Sequence, residues 1–261
     1  MGLATKIDVR VIAKGGKYLG DDIGGALVTI QDVRTGELLA SGRTSGGSGL
    51  ANLMQISLNR AEVLPVADAS VFSTTLDLEE PRLIRVTAYG PLAAPAAANT
   101  VTQTQWVYPG KNNTGGPTGG GFLLEIPGLV VQILNPPTHF LPQTAPPVID
   151  LRANVTMMCG CPIGKANPPW NPDEFQVMAI IQGGEYDVLE VPLAWDGHAP
   201  FEAPSQFTHP WHVPPNGTAQ PQIYAITVSA FQRKTGNTGV AKATVIIQPS
   251  APASNLPGAQ R

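Results

Sequence analysis

Glycine and proline interrupt this chain every few residues with no fixed period, and that punctuation leaves room for short strands and tight turns but little for helices. There are 28 glycines and 26 prolines among 261 residues. Proline removes a backbone donor and glycine costs conformational entropy inside a regular element, whereas both suit turns. The stretches between them alternate apolar and polar residues, the two-residue period of a strand with one buried face.

Ile7, Val9 and Val11 alternate against Asp8, Arg10 and Ile12, and mark a first strand. Residues 26–32 and the run from Leu38 flank Val33-Arg34-Thr35-Gly36-Glu37, a Gly-containing turn, and predict a hairpin. Further strands are expected at 71–78, 83–89, 102–108, 121–125 and 129–134, with Pro81 marking a turn. A second series comprises the strand leading to Cys159, then 175–182, 187–195, 207–213, 223–231 and 241–247. Residues 42–65 stand apart as a long excursion with weak helical spacing at Leu50, Leu53, Met54 and Leu58, and the loop from Pro109 to Gly121 is a glycine-rich tip.

A chain of 261 residues exceeds one ordinary domain, so two compact units are expected. The pattern predicts an all-β protein of two tandem antiparallel β-sandwiches with long Gly/Pro-rich loops. The first spans 1–135, a linker stiffened by Pro136, Pro137, Pro142, Pro146 and Pro147 spans 136–147, the second spans 148–248, and 249–261 is a frayed tail.

With 43% hydrophobic and 13% charged residues, the chain can bury a sizeable core. Its net charge of -3, without any block of like charge, argues against nucleic acid as a partner. No apolar run is long enough to cross a bilayer as a helix, and the opening residues lack the apolar core of a signal peptide. A chain trimmed of its leader would read identically, so the compartment stays open.

The two cysteines stand one residue apart in Met157-Met158-Cys159-Gly160-Cys161. If the strand alternation runs on, Leu151, Ala153, Val155, Met157, Cys159 and Cys161 share one face. Three uses compete for that face. It continues a core, with cysteine as a small hydrophobe. Alternatively, Cys159, Cys161 and Met157 hold a soft ion such as copper, or zinc, with His209 or His212 as a further ligand. The third use is a strained, reducible disulfide.

His209 and His212, in Thr-His-Pro-Trp-His, read as surface histidines on an exposed bend near a domain end. His139 lies in the linker, and His198 follows Asp196 in a loop without a neighbouring nucleophile. Of the adjacent carboxylates, Asp21-Asp22 best suits a hard cation, against a solvated turn as the plainer use. Asn112, Asn154 and Asn216 begin glycosylation triplets that matter only in a eukaryotic secretory pathway.

Residues 26–43 resemble the early hairpin of transthyretin-like and carboxypeptidase-regulatory-like modules, and residues 224–247, with Lys-Thr-Gly-Asn-Thr-Gly between strands, resemble the final hairpin of an immunoglobulin-like domain. The resemblance implies a sandwich fold and a mostly non-catalytic role in binding, spacing or stiffening. The expected function is a non-enzymatic binding or structural protein, an accessory or assembly component. It is expected to meet a protein partner or to self-associate through strand edges and loops.

Overall fold

The computed structural model describes residues 1–50, 66, 68–115, 121–142, 146–165, 170–197 and 205–249. The predicted helical spacing at Leu53, Met54 and Leu58, His198, the middle of the glycine-rich tip, parts of the linker and of the loop after Cys161, and nearly all of the tail lie outside the described residues.

Sixteen strands among the described residues carry the fold. They are β1 (Leu3–Ala13), β2 (Leu27–Asp32), β3 (Leu38–Arg43), β4 (Phe72–Leu78), β5 (Arg82–Gly90), β6 (Asn99–Val107), β7 (Phe122–Ile126), β8 (Leu129–Asn135), β9 (His139–Phe140), β10 (Val148–Met157), β11 (Phe175–Gly183), β12 (Tyr186–Pro192), β13 (Ala194–Trp195), β14 (Gln206–His212), β15 (Gln222–Gln232) and β16 (Asn237–Ile247). Two three-residue 3-10 turns, Asp21–Ile23 and Pro172–Glu174, are the helical elements among the described residues. None is long and apolar enough to cross a membrane.

The strands form four sheets, ordered β4-β1-β7, β3-β2-β5-β6, β13-β14-β10-β8 and β12-β11-β15-β16-β9. The first two pack face to face, as do the last two, so the expected all-β sandwich architecture is present. Two pairings depart from the antiparallel expectation: β1 with β7 and β9 with β16 are parallel. The predicted hairpin over 27–43 forms, and Asp32 seats its turn by accepting from the backbone N–H of Arg34 and Thr35 at 2.8 and 2.9 Å.

Strand β8 does not pair with any strand that precedes it. It runs antiparallel to β10, from Leu129 opposite Met157 to Asn135 opposite Arg152. Gly239 makes room for it against the facing sheet, because a Cβ there would stand 2.4 Å from the carbonyl oxygen of Leu129. The segment expected as a linker likewise contributes β9 to the edge of the five-stranded sheet.

The predicted strand over 187–195 divides at Leu193, whose N–H bonds to Val177, so that β12 and β13 lie in different sheets. The strand expected over 207–213 forms as β14, and the exposed bend expected around Trp211 does not. Trp211 is 2% exposed and meets Tyr224 of β15 edge to face, 5.1 Å between ring centroids, at the centre of the second sandwich. Pro210 fits within β14 because β13 reaches only Phe207 and Thr208, leaving no strand beside Pro210 on that side to need its missing N–H.

Candidate functional site

The cysteines sit where β10 ends. Leu151, Ala153, Val155 and Met157 are buried as predicted, Ile149 joins them on the same face, and after Met157 the alternation stops. Gly160 donates its N–H to the carbonyl of Met157 at 2.8 Å, and Met157 donates to the carbonyl of Cys161 at 3.1 Å. Met158, Cys159 and Gly160 are therefore the three-residue loop of a tight hairpin, with Gly160 at φ 75° in the left-handed region that such a loop demands of its last residue. The extended face through Cys159 and Cys161 does not form. Cys159 is fully buried in the turn and Cys161 is partly exposed.

This turn packs against another one, residues 14–17, which follows β1. The backbone N–H of Lys17 donates to the Cys159 sulfur at 3.5 Å, and a Cβ on Gly16 would lie 3.2 Å from that sulfur. Trp170 Nε1 donates to the carbonyl of Gly15 at 3.0 Å. Asn237, 1% exposed, donates through Nδ2 to the carbonyl of Lys14 at 2.9 Å, and its Oδ1 accepts from the N–H of Gly128 at 3.1 Å. Three separate segments of the second half thus clasp one turn of the first. Buried polar groups are paired at this junction, which is the condition for its being stable.

Both thiols are free. Burial pushes the Cys159 thiol up, but the hydrogen bond from Cys161 and the backbone N–H groups of Lys17 and Cys161 outweigh burial and hold it below the ordinary thiol value. Cys161 is driven far above that value by its hydrogen bond to Cys159 and by its own burial. Cys159, with no exposed surface, is closed to solution reagents, and a thiol held toward its protonated form, the direction at Cys161, is a weaker nucleophile than a thiolate.

The histidines are elsewhere. His209 pairs with Leu151 and His212 with Val148, toward the opposite end of β10 from Met157. Leu151 and Met157 are six positions apart, about 20 Å at the ~3.3 Å rise of a strand. The structure keeps Met157, Cys159 and Cys161 together and does not bring His209 or His212 to them. His139 is exposed on β9. Among the described residues, no group of three or more His, Cys, Asp or Glu side chains is placed to hold a metal ion.

Asp21 and Asp22 do not converge either. Asp21 Oδ2 accepts from the N–H of Gly46 at 2.9 Å and from Ser45 at 3.3 Å, while Asp22 Oδ1 accepts from the N–H of Ile23 at 3.1 Å. They tie a loop. Asn216 is buried with both amide hydrogens given to the carbonyls of Gln220 and Ile247, so its side chain is committed to the fold.

Asn237 and Trp170 are the residues that sequence reasoning missed. Asn237 lies within the Thr-Gly-Asn-Thr-Gly run, where asparagine reads as turn chemistry, and the partner at Lys14 is 223 residues away.

No protein-family model matches the chain, and no curated protein matches it. Solved structures do. The fibronectin(III)-like modules of Clostridium thermocellum CbhA share 9% identity over 85% of this chain and 78% of that one, with a TM-score of 0.27. The chicken interferon gamma receptor alpha chain shares 9% identity over 86% of this chain and 85% of that one, with a TM-score of 0.26. The β-sandwich architecture itself follows from the strand pairing of this chain.

Proposed function

We propose that this chain is a structural or binding component of a larger protein assembly, a rigid block whose two sandwiches hold their edges and loops at fixed relative positions. One observation carries the reading: the clasp of residues 14–17 by Cys159, Trp170 and Asn237, which spends the most chemically distinctive side chains on joining the two halves. The apolar core supports it, because one cluster runs continuously from Ile7 and Val11 through Ile126 and Leu129 to Tyr224 and Val245. Domains joined in tandem move relative to one another unless a large apolar contact with buried hydrogen bonds prevents it. Both are present at this junction.

The test is isolation under native conditions from the cells that make it. The tagged chain should emerge in a complex of fixed stoichiometry, with other subunits or with copies of itself. Recovery as a free monomer that turns over a small molecule would overturn the reading.

A further inference from the structure

Strand β6 is an edge without protection. It lies at the border of the β3-β2-β5-β6 sheet, and its nine residues pair with β5 in unbroken register from Asn99 opposite Gly90 to Val107 opposite Arg82. All but Val101 and Val107 are exposed, and the exposed residues fall on both faces of the strand. Trp106 is 58% exposed. Among the described residues, no hydrogen bond joins the backbone of residues 101–107 to anything but β5.

A row of free N–H and C=O groups templates pairing with another chain, and natural edges are blunted by charge, proline, bulges or brevity. Each of the other edge strands among the described residues carries such a device. β9 and β13 have two residues each. β4 carries Asp77, and β7 is five residues long with Glu125. β3 ends in Arg43 and its pairing is bulged, and the pairing of β8 with β10 is bulged too. β12 has Asp187, Glu190, Pro192 and a bulge. The sequence of β6, Asn-Thr-Val-Thr-Gln-Thr-Gln-Trp-Val, has none of these.

We propose that β6 pairs antiparallel with β6 of a second copy of this chain, joining two four-stranded sheets into one across a two-fold axis at Gln103. This rests on the reading of the protein as an assembly component and names the partner. The geometry selects the axis. Outward-pointing backbone groups alternate along the strand, so a two-fold pairing must pass through a residue and not between two, and pairing over the full strand passes through Gln103. Gln103 then faces Gln103, Thr102 faces Thr104, Val101 faces Gln105 and Thr100 faces Trp106. Thr–Thr, Gln–Gln and aromatic–β-branched neighbours are favourable cross-strand pairs, and no charge meets its like. A two-fold pairing uses the same edge on both copies, so it closes as a dimer and does not propagate into fibres.

The test is sedimentation velocity on purified chain over a concentration series, for wild type, Q103K, Q103E and an equimolar mixture of the two variants, with circular dichroism to show that the fold is retained. Wild type should pass from monomer to dimer as concentration rises. Each variant alone puts like charges together on the axis and should weaken the dimer roughly tenfold or more, and the mixture should restore it. V188K on edge strand β12 should dimerise as wild type does. A wild type that stays monomeric at about 100 µM overturns self-pairing and leaves the assembly reading intact, as when the edge receives a strand of a different protein. Dimerisation of Q103K equal to that of wild type also overturns it, by placing the interface elsewhere.

Discussion

The side-chain amide of Asn237 donates to the backbone carbonyl of Lys14 at 2.9 Å, fastening the hairpin between β15 and β16 to the turn that follows β1. The same side chain accepts from Gly128, at the entry to β8. One buried amide therefore ties together the first strand, the crossing into the second half and the last hairpin.

Replacing Asn237 by alanine leaves the carbonyl of Lys14 and the N–H of Gly128 buried without that partner. Each such group costs about 1–3 kcal/mol, so N237A should lower stability by about 3 kcal/mol in urea titration. N237D keeps the acceptor for Gly128 but sets a buried carboxylate oxygen against the Lys14 carbonyl, and should cost at least as much as N237A.

The thiols should be inert while the protein is folded. Ellman's reagent at neutral pH should modify neither cysteine on a timescale of minutes, and both should react at once in denaturant. Fast modification of Cys159 in native protein would show that the turn opens. Stoichiometric Cu(I), bound by reduced protein and lost on Cys159→Ser, would assign the turn to soft-metal binding instead.

Gly239 and Gly160 are held for different reasons. At Gly239 the added Cβ meets backbone, 2.4 Å from the Leu129 carbonyl oxygen, so G239A must push β8 off β16 and should cost about 2 kcal/mol or more. At Gly160 the obstacle is conformational, φ 75°, and G160A should cost about 1–2 kcal/mol. Thermal melts of the two variants check both.

Acid should weaken the β2–β3 hairpin. The Asp32 carboxylate is held below its ordinary range, first by the backbone N–H of Thr35, then by that of Arg34, the Thr35 hydroxyl and the Arg82 guanidinium. An unfolded aspartate titrates near pH ~4, so below that value the unfolded chain binds the proton more readily than the folded one. The stabilisation is complete above about pH 4 and is lost as pH falls through the folded value. Melting temperature measured from pH 7 downward should drop less steeply below about pH 4 in D32N than in wild type.

Much of this fold is legible in the residues, because a strand with one buried face writes a period of two into its sequence. Ile7, Val9 and Val11, or Leu151, Ala153 and Val155, show their burial directly. What escapes is partner choice. Nothing local in Leu129-Val130-Val131 says that it will lie beside Val155 and not beside the strands before it. The sheet switch at Leu193 depends on a hydrogen bond to Val177, and Pro210 suggests an exposed bend at His209 and His212 although the missing neighbour makes proline harmless in β14. The cysteines were conspicuous as chemistry, but their role as packing depends on Lys17 and Gly16, more than 140 residues away. The open edge at β6 was legible in composition only after every other edge could be seen to be guarded.

Scanning calorimetry of the whole chain tests the central claim, that the two sandwiches are locked into one block through residues 14–17. The account predicts a single endotherm whose calorimetric and van't Hoff enthalpies agree, and which in N237A either moves down in temperature or splits in two. Two well-separated endotherms in the wild-type protein, unchanged by N237A, would contradict it.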